Sequence, residues 1–140
     1  MRGDMFAIHF RTVLAVTIML AAGCGVVPAT AAEEFPFGLE MTLDVPPQPG
    51  SKRIPNLEIG DRGEVRLELW CKGGVGQFSV AGNTVIFVPG AMENRTCSPA
   101  QVEMDDALLA DLAEAATWSR NGDHVSFIGR TTLRFHLITN

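Results

Sequence analysis

The sequence contains no tyrosine, only three cysteines and few charged residues, which make up 19% of its 140 positions. Lys and Arg number 11 against 16 Asp and Glu, so the formal net charge of −5 argues against binding nucleic acid by neutralising phosphates. Apolar residues nevertheless reach 46%, too many for a disordered chain. No G-x-S-x-G, H-E-x-x-H or Walker-type pattern occurs. The length allows one domain at most.

The first 31 residues have the layout of an export signal. Arg2 and Arg11 flank a short polar start, and an uncharged apolar stretch from Thr12 to Ala22 precedes small residues. The apolar region ends at Val27 after 16 residues and is interrupted by glycines, whereas a membrane span needs about 20. We therefore predict that residues 1–31 are a signal peptide.

Two ways of processing this signal peptide remain open. Ala29-Thr30-Ala31 fits the small-x-small rule for cleavage before Ala32 or one residue later, which would give a soluble periplasmic protein of net charge −6. Leu20-Ala21-Ala22-Gly23-Cys24 instead resembles a lipobox, in which the signal ends at Gly23 and Cys24 is acylated. The protein would then be a membrane-anchored lipoprotein facing the periplasm. We favour the soluble form.

Either route leaves Cys71 and Cys97 as an even pair in an oxidising compartment, so we predict a disulfide between them. Cys71 ends a predicted strand and Cys97 immediately precedes a predicted helix, so the bridge would tie the helix start to the sheet. The chain-entropy model gives a loop of this length about 3–4 kcal/mol of stabilisation. The alternative is two free buried thiols; a catalytic role would need a nearby base that the sequence does not supply.

Five segments of the mature chain are predicted to be strands or hairpins. Alternation or apolar runs bounded by turn residues predict strands at residues 37–45, a hairpin over 57–69, and strands at 84–88 and 132–138. The run at 84–88 is unbroken, which predicts burial on both faces, with Pro89-Gly90 ending the strand. Asn121-Gly122 predicts a tight turn that pairs residues 117–120 with 123–126.

The glycine-rich stretch Cys71-Lys72-Gly73-Gly74-Val75-Gly76 has the composition of a phosphate-binding loop. Such loops open directly into a helix, whereas Phe78 and Val80 here continue as a strand. We interpret the stretch as a bend or bulge.

Ser98-Pro99-Ala100-Gln101 is typical of a helix start, and it predicts a helix over about residues 99–117. Adjacent helix positions point about 100° apart, so Asp105 and Asp106 do not converge for acid–base or metal chemistry. We interpret both as solvated carboxylates that complement the helix dipole. The predicted buried stripe consists of Met104, Leu108, Leu112 and Ala115 or Ala116.

His124 and His136 are the only histidines after the signal peptide. If the last two strands pair Val125 with Phe135 and Phe127 with Leu133, the two histidines lie directly opposite each other. They form a weak candidate metal pair, but two ligands without a third rarely hold a metal. We therefore expect a solvated cross-strand pair and no bound metal.

Several short motifs follow one another in a characteristic order between about Leu57 and Phe135. Together they resemble the META domain, the HslJ-like family of small bacterial envelope proteins. The residues that carry the resemblance are Cys71 followed by Gly76-Gln77-Phe78, the segment Ala81-Gly82-Asn83-Thr84-Val85-Ile86-Phe87, Cys97 with Pro99 and an acidic helix, Leu112, Trp118, Gly122-Asp123, Val125 and Leu133-Arg134-Phe135. The chain departs from the family pattern at Trp70 and Lys72 beside the first cysteine, and at Arg95 before the second.

The resemblance implies an α+β fold, in which a curved, mainly antiparallel, barrel-like sheet of about 7–8 strands packs with one main helix. It assigns residues 37–140 to the domain and leaves residues 32–36 as a short tether. It also implies that a lipoprotein anchor is common and that no enzymatic activity is established. Family members are associated with heat shock and antibiotic tolerance.

The leader, the cysteine pair and the resemblance favour a non-catalytic exported protein that binds or scaffolds in envelope maintenance or stress tolerance. We expect its partner to be an envelope protein or a small ligand, with no cofactor, no nucleic acid, and membrane contact only through an anchor at Cys24. One alternative is a periplasmic inhibitor of an exported enzyme such as lysozyme, although the known inhibitory motifs contain the tyrosine that this chain lacks. Another is a metal-dependent hydrolase using His124 and His136.

Overall fold

Residues 33–139 are described in the computed structural model, and they belong to one compact unit. The predicted signal peptide and Cys24 lie outside this range. The elements follow in the order β1 (Leu39–Leu43), β2 (Asn56–Ile59), β3 (Glu64–Glu68), β4 (Gly73–Ala81), β5 (Thr84–Met92), α1 (Pro99–Glu114), β6 (Thr117–Asn121), β7 (His124–Ile128) and β8 (Thr132–Leu137). In this part of the chain, no helix is long and apolar enough to cross a membrane.

The eight strands form a closed antiparallel barrel in which each strand pairs with its neighbours in sequence. The ring closes where β1 pairs with β8, with Met41 opposite Leu137 and Leu43 opposite Phe135. Strands β5 and β6 share a single residue pair, and α1, which connects them, packs against β5. The predicted α+β fold with a barrel-like sheet and one main helix is confirmed.

The inside of the barrel is filled by aliphatic and aromatic side chains from every strand and from α1. Phe78 stacks on Phe127, with ring centroids 5.1 Å apart, and Phe35 meets the edge of Trp118 at the same separation. Phe35 is only 7% exposed, so the chain is already packed against the barrel within residues 32–36, the segment expected to be a tether.

The helix begins as predicted. The Ser98 hydroxyl accepts from the Gln101 backbone N–H, and the Gln101 side chain accepts from the Ser98 N–H, which satisfies two free donors of the first turn. The helix is slightly shorter than the predicted range of about 99–117, because α1 ends at Glu114. Ala116 already donates its N–H to Ile128, so strand pairing takes over before the predicted end.

Strand β5 differs from the prediction in burial and in length. Val85 and Phe87 face the core, but Ile86 and Val88 are 59% and 57% exposed, so the strand is buried on one face only. An unbroken apolar run cannot by itself distinguish these two cases. The strand also continues past Pro89 to Met92, because Pro89 lies beside a bulge where its missing N–H is tolerated.

The glycine-rich stretch opens β4 with a bulge between Gly74 and Gly76, where a Cβ on Gly74 would lie 2.4 Å from the Met92 sulfur. The β6–β7 turn lies one residue later than predicted, because Asn121 pairs with His124 and leaves Gly122 and Asp123 as the turn.

Candidate functional site

A buried carboxylate holds the turn that precedes β4. Three consecutive backbone N–H groups point to Asp105: Trp70 N lies 2.9 Å from Oδ1, Lys72 N lies 2.8 Å from Oδ2, and Cys71 N lies 3.3 Å from Oδ2. Consecutive N–H groups of this kind form a concave anion site. Here the occupant is a side chain of the same protein, and it attaches α1 to the turn.

The expectation that Asp105 is solvated is therefore wrong, since it is 0% exposed. Asp106 fits the expectation: its side chain is 63% exposed and lies 3.5 Å from the Lys72 ammonium. The spacing of Asp105 to Leu108 and Leu112 places all three on one helix face. The spacing alone would therefore predict a buried Asp105, but a carboxylate is rarely found in a core unless hydrogen bonds satisfy it.

The disulfide joins the same two elements covalently. Cys71 and Cys97 are bonded, with Sγ atoms 2.05 Å and Cα atoms 6.0 Å apart, as the sequence predicted. Cys97 directly precedes the Ser98 cap, so this bond attaches the start of α1 to the turn, and Asp105 attaches the next part of the helix to the same turn.

Arg95 holds the loop between β5 and α1 against β3. Its guanidinium makes two hydrogen bonds to Glu68, at 2.9 and 3.2 Å, and also pairs with Glu93. The Arg95 hydrogen bond lowers the pKa of Glu68 below its usual value, against the opposing effect of burial, and the same contact raises the pKa of Arg95. Arg95, where the chain departs from the pattern of the family that it resembles, joins β3 to this loop through its ion pairs with Glu68 and Glu93.

His124 and His136 lie directly opposite each other, in the predicted register. Both approach Asp44, with His136 Nδ1 at 2.5 Å from Oδ1 and His124 Nδ1 at 3.5 Å from Oδ2. Sequence reasoning missed Asp44, because it reaches the histidines only through the β1–β8 pairing. The shorter separation is that of a hydrogen bond, whereas two tetrahedral ligands of one zinc ion lie about 3.3 Å apart. Within residues 33–139, no three His, Cys, Asp or Glu side chains are arranged to hold a metal ion.

A cleft of about 300 Å³ lies between α1 and the barrel, and we call it the helix-side cleft. Its polar lining comes from Gln48 and from Asp111, the one ionisable side chain in the lining. The indole N–H of Trp70 is buried and has no hydrogen-bond partner among the described residues. The nine lining residues are Leu43, Val45, Gln48, Trp70, Met104, Ala107, Leu108, Asp111 and Leu133.

A larger cleft, of about 810 Å³, lies beside residues 33–37. Several of its polar groups bond within the protein: the Trp118 indole donates to Gly82 O, Glu33 accepts from the Gly122 N–H, and Arg120 donates to Glu34 O. The lining of the helix-side cleft is instead mostly apolar. Such a lining is suited to binding an apolar molecule rather than to acid–base chemistry.

Comparison with known proteins identifies the family. A search of curated proteins finds no match. A solved NMR structure aligns with a TM-score of 0.57 and 19% sequence identity, over 71% of this chain and 89% of that one, which supports the fold alone. The sequence model of the META domain matches residues 41–139, well over half of the chain. The chain therefore belongs to the META domain family.

Proposed function

We propose that this protein is exported and acts in the periplasm, either free or anchored to the membrane, as a non-catalytic binding or scaffolding protein in envelope maintenance or stress tolerance. The observation that supports export is the Cys71–Cys97 disulfide. Such bonds persist in oxidising compartments and are rare in the cytosol. The export-type leader independently points to the same compartment.

Binding rather than catalysis is supported by the lining of the helix-side cleft. Seven of its nine residues are apolar, and Asp111 has no second ionisable group beside it in the lining. A general acid or base normally works with a partner that activates a nucleophile or stabilises charge. An apolar lining with few polar groups is instead the usual character of a ligand-binding surface.

The test is to express the full chain in a bacterial host, separate periplasm from membranes and cytoplasm, and measure the intact mass of the protein in each fraction. We expect a soluble periplasmic form that begins at Ala32 or Glu33, or a membrane form that begins at an acylated Cys24. In the exported form Cys71 and Cys97 should carry no free thiol. A full-length protein that retains Met1 to Ala31 in the cytoplasm would overturn the proposal.

The variant Cys24→Ser separates the two processing routes. It should leave the mass of a soluble form beginning at Ala32 or Glu33 unchanged, because Cys24 has already been removed there. It should abolish an acylated form, which cannot be made without the thiol. Loss of the membrane fraction in this variant would assign the protein to the lipoproteins.

A further inference from the structure

The β6–β7 turn carries two adjacent residues that can react with each other. Asn121 and Gly122 are both exposed, and Gly122 has a φ of +60°. In an Asn-Gly pair the backbone nitrogen of the glycine can attack the side-chain carbonyl carbon of the asparagine, because glycine has no side chain to obstruct the approach. Among the described residues, no atom beyond the two chain neighbours lies within 4 Å of the position that a Cβ would take at Gly122. The approach is therefore open.

The reaction is the deamidation of Asn121, and water is its only co-reactant. A bond forms between Gly122 N and Asn121 Cγ, and the bond from Cγ to Nδ2 breaks. The amide proton of Gly122 is transferred to the leaving nitrogen, which departs as ammonia. The cyclic succinimide then takes up water and opens to aspartate or isoaspartate. Either product puts a carboxylate where the neutral amide was, and isoaspartate also inserts a methylene into the backbone.

The side chain of Glu33 holds the attacking group. The Gly122 N–H donates to Glu33 Oε1 at 2.7 Å, although 89 residues separate the two in sequence. The nitrogen must give up this proton to attack, and the loss of the proton leaves negative charge beside the carboxylate. Like charges at this distance repel each other. The hydrogen bond therefore restrains the deamidation.

Residues 33–37, which we call the strap, bring Glu33 to the turn. Within the strap, Phe35 is 7% exposed and meets the edge of Trp118, so the segment is anchored in the core. The strap also forms part of the wall of the cleft of about 810 Å³. The chemical state of the turn and the position of the strap are linked through Glu33.

We propose that Asn121 is a site of spontaneous deamidation that the strap restrains through Glu33, and that conversion of Asn121 loosens the strap. The new carboxylate forms on the residue directly before the Gly122 N–H, so it repels the carboxylate of Glu33. An isoaspartate also disturbs the pairing of Asn121 with His124. This inference goes beyond the proposed function and does not depend on it, since both processing routes leave Glu33 in the chain.

The experiment incubates the processed, disulfide-intact protein at mildly alkaline pH and follows conversion of Asn121 by peptide mass spectrometry. Glu33→Ala should raise the rate about fivefold, the effect of losing one exposed hydrogen bond. Glu34→Ala is the matched control, because it removes the same charge from the next residue of the strap and leaves the contact to Gly122 in place. Its rate should equal that of the unmodified protein.

The turn between β4 and β5 supplies a reference within the same digest. Asn83 is exposed in that turn and is followed by Thr84 instead of glycine. A β-branched side chain crowds the neighbouring backbone nitrogen. Asn83 should therefore convert more slowly than Asn121 does in Glu33→Ala.

A loss of global stability also raises the rate of deamidation, because an unfolded chain no longer restrains Asn121. Asp105→Asn controls for this effect, since the contacts of Asp105 are to the turn that precedes β4. This variant should leave the rate at Asn121 unchanged. If it accelerates the reaction as much as Glu33→Ala does, deamidation proceeds through unfolding and the restraint by Glu33 is refuted.

The effect on the strap is measured on the converted protein, which gains negative charge and is separated by anion-exchange chromatography. The Phe37 N–H donates to Phe35 O at 2.7 Å within the strap. We expect this N–H to exchange hydrogen for deuterium faster in the converted fraction than in the unconverted one. Equal exchange in the two fractions would show that conversion does not loosen the strap.

Two results would overturn the site itself. Asn121 that stays unconverted in both the unmodified protein and Glu33→Ala would show that it is not a deamidation site. A rate in Glu33→Ala equal to or below that of the unmodified protein would show that Glu33 does not restrain the reaction. Neither result bears on whether the chain is exported, which the fractionation experiment tests separately.

Discussion

Removing the Asp105 carboxylate should be among the most damaging single changes in α1. Asp105→Ala leaves the N–H groups of Trp70 and Lys72 without their acceptor in a partly buried turn, where they now donate at 2.9 and 2.8 Å. Hydrogen bonds to a charged group contribute about 1.5–3 kcal/mol each. The two are not fully additive, and the longer contact from Cys71 adds little. We expect a loss of about 3–5 kcal/mol in the free energy of unfolding.

The assay is urea unfolding of the disulfide-intact protein, followed by circular dichroism. Asp106→Asn is the matched control, because it changes the neighbouring carboxylate, which is exposed and makes one long contact to Lys72. A pair of that kind contributes about 0–1 kcal/mol. Asp105→Asn should fall between the two, at about 2 kcal/mol, since it keeps one acceptor oxygen but places an amide donor against a backbone N–H.

A domain of this size has a stability of about 5–15 kcal/mol, so Asp105→Ala should remain folded in water and show a clearly lower urea midpoint. If Asp105→Ala and Asp106→Asn differed by less than about 1 kcal/mol, the carboxylate would not be holding the turn. The reasoning from its three N–H contacts would then be refuted.

Three further perturbations test the same structure. Replacing Cys71 and Cys97 by serine should cost about 3–4 kcal/mol, measured as the shift in urea unfolding, and an unchanged midpoint would contradict a stabilising bridge. The pKa of Glu68 is lowered in the folded state, so its contribution to the free energy of unfolding is present above its ordinary pKa of 4.5 and is lost as the pH falls below that value. The free energy of unfolding should therefore fall less steeply with decreasing pH in Glu68→Gln than in the unmodified protein. Identical pH dependence in the two proteins would contradict this effect. Gly63→Ala should lower the melting temperature far more than Gly122→Ala does. Both glycines have positive φ, but of the two only Gly63 has a backbone atom in the way of an added Cβ, which would lie 2.2 Å from Phe78 O.

Features encoded in adjacent residues could be read from the sequence. The cap at Ser98 and Gln101 fixed the start of α1, and the β2–β3 hairpin followed from alternation around a glycine turn. The register of the last hairpin also followed from alternation, which is why His124 was correctly placed opposite His136. Each of these depends on contacts between residues close in the chain.

Features that depend on distant strands could not be read in this way. Asp44 reaches the histidines only because β1 closes the barrel against β8. Asp105 is buried because the backbone of a turn 33 to 35 residues earlier supplies its donors. The exposure of Ile86 and Val88 depends on which face of β5 the barrel encloses. The helix-side cleft is lined by α1, β1, β8 and two loops, which are far apart in the sequence, so local sequence patterns could not predict it.

The pairing of β1 with β8 also constrains how the domain folds. Met41 and Leu137 are partners in the ring, so the closing contact joins segments separated by almost the whole domain. The hairpins of neighbouring strands can form early, because they close short loops, but ring closure must overcome the entropy of a long one. Until β8 has emerged from a ribosome or a membrane channel, β1 lacks one of its two neighbours. We therefore expect the barrel to be completed only after its C-terminal strand becomes available, as the last and slowest event of folding.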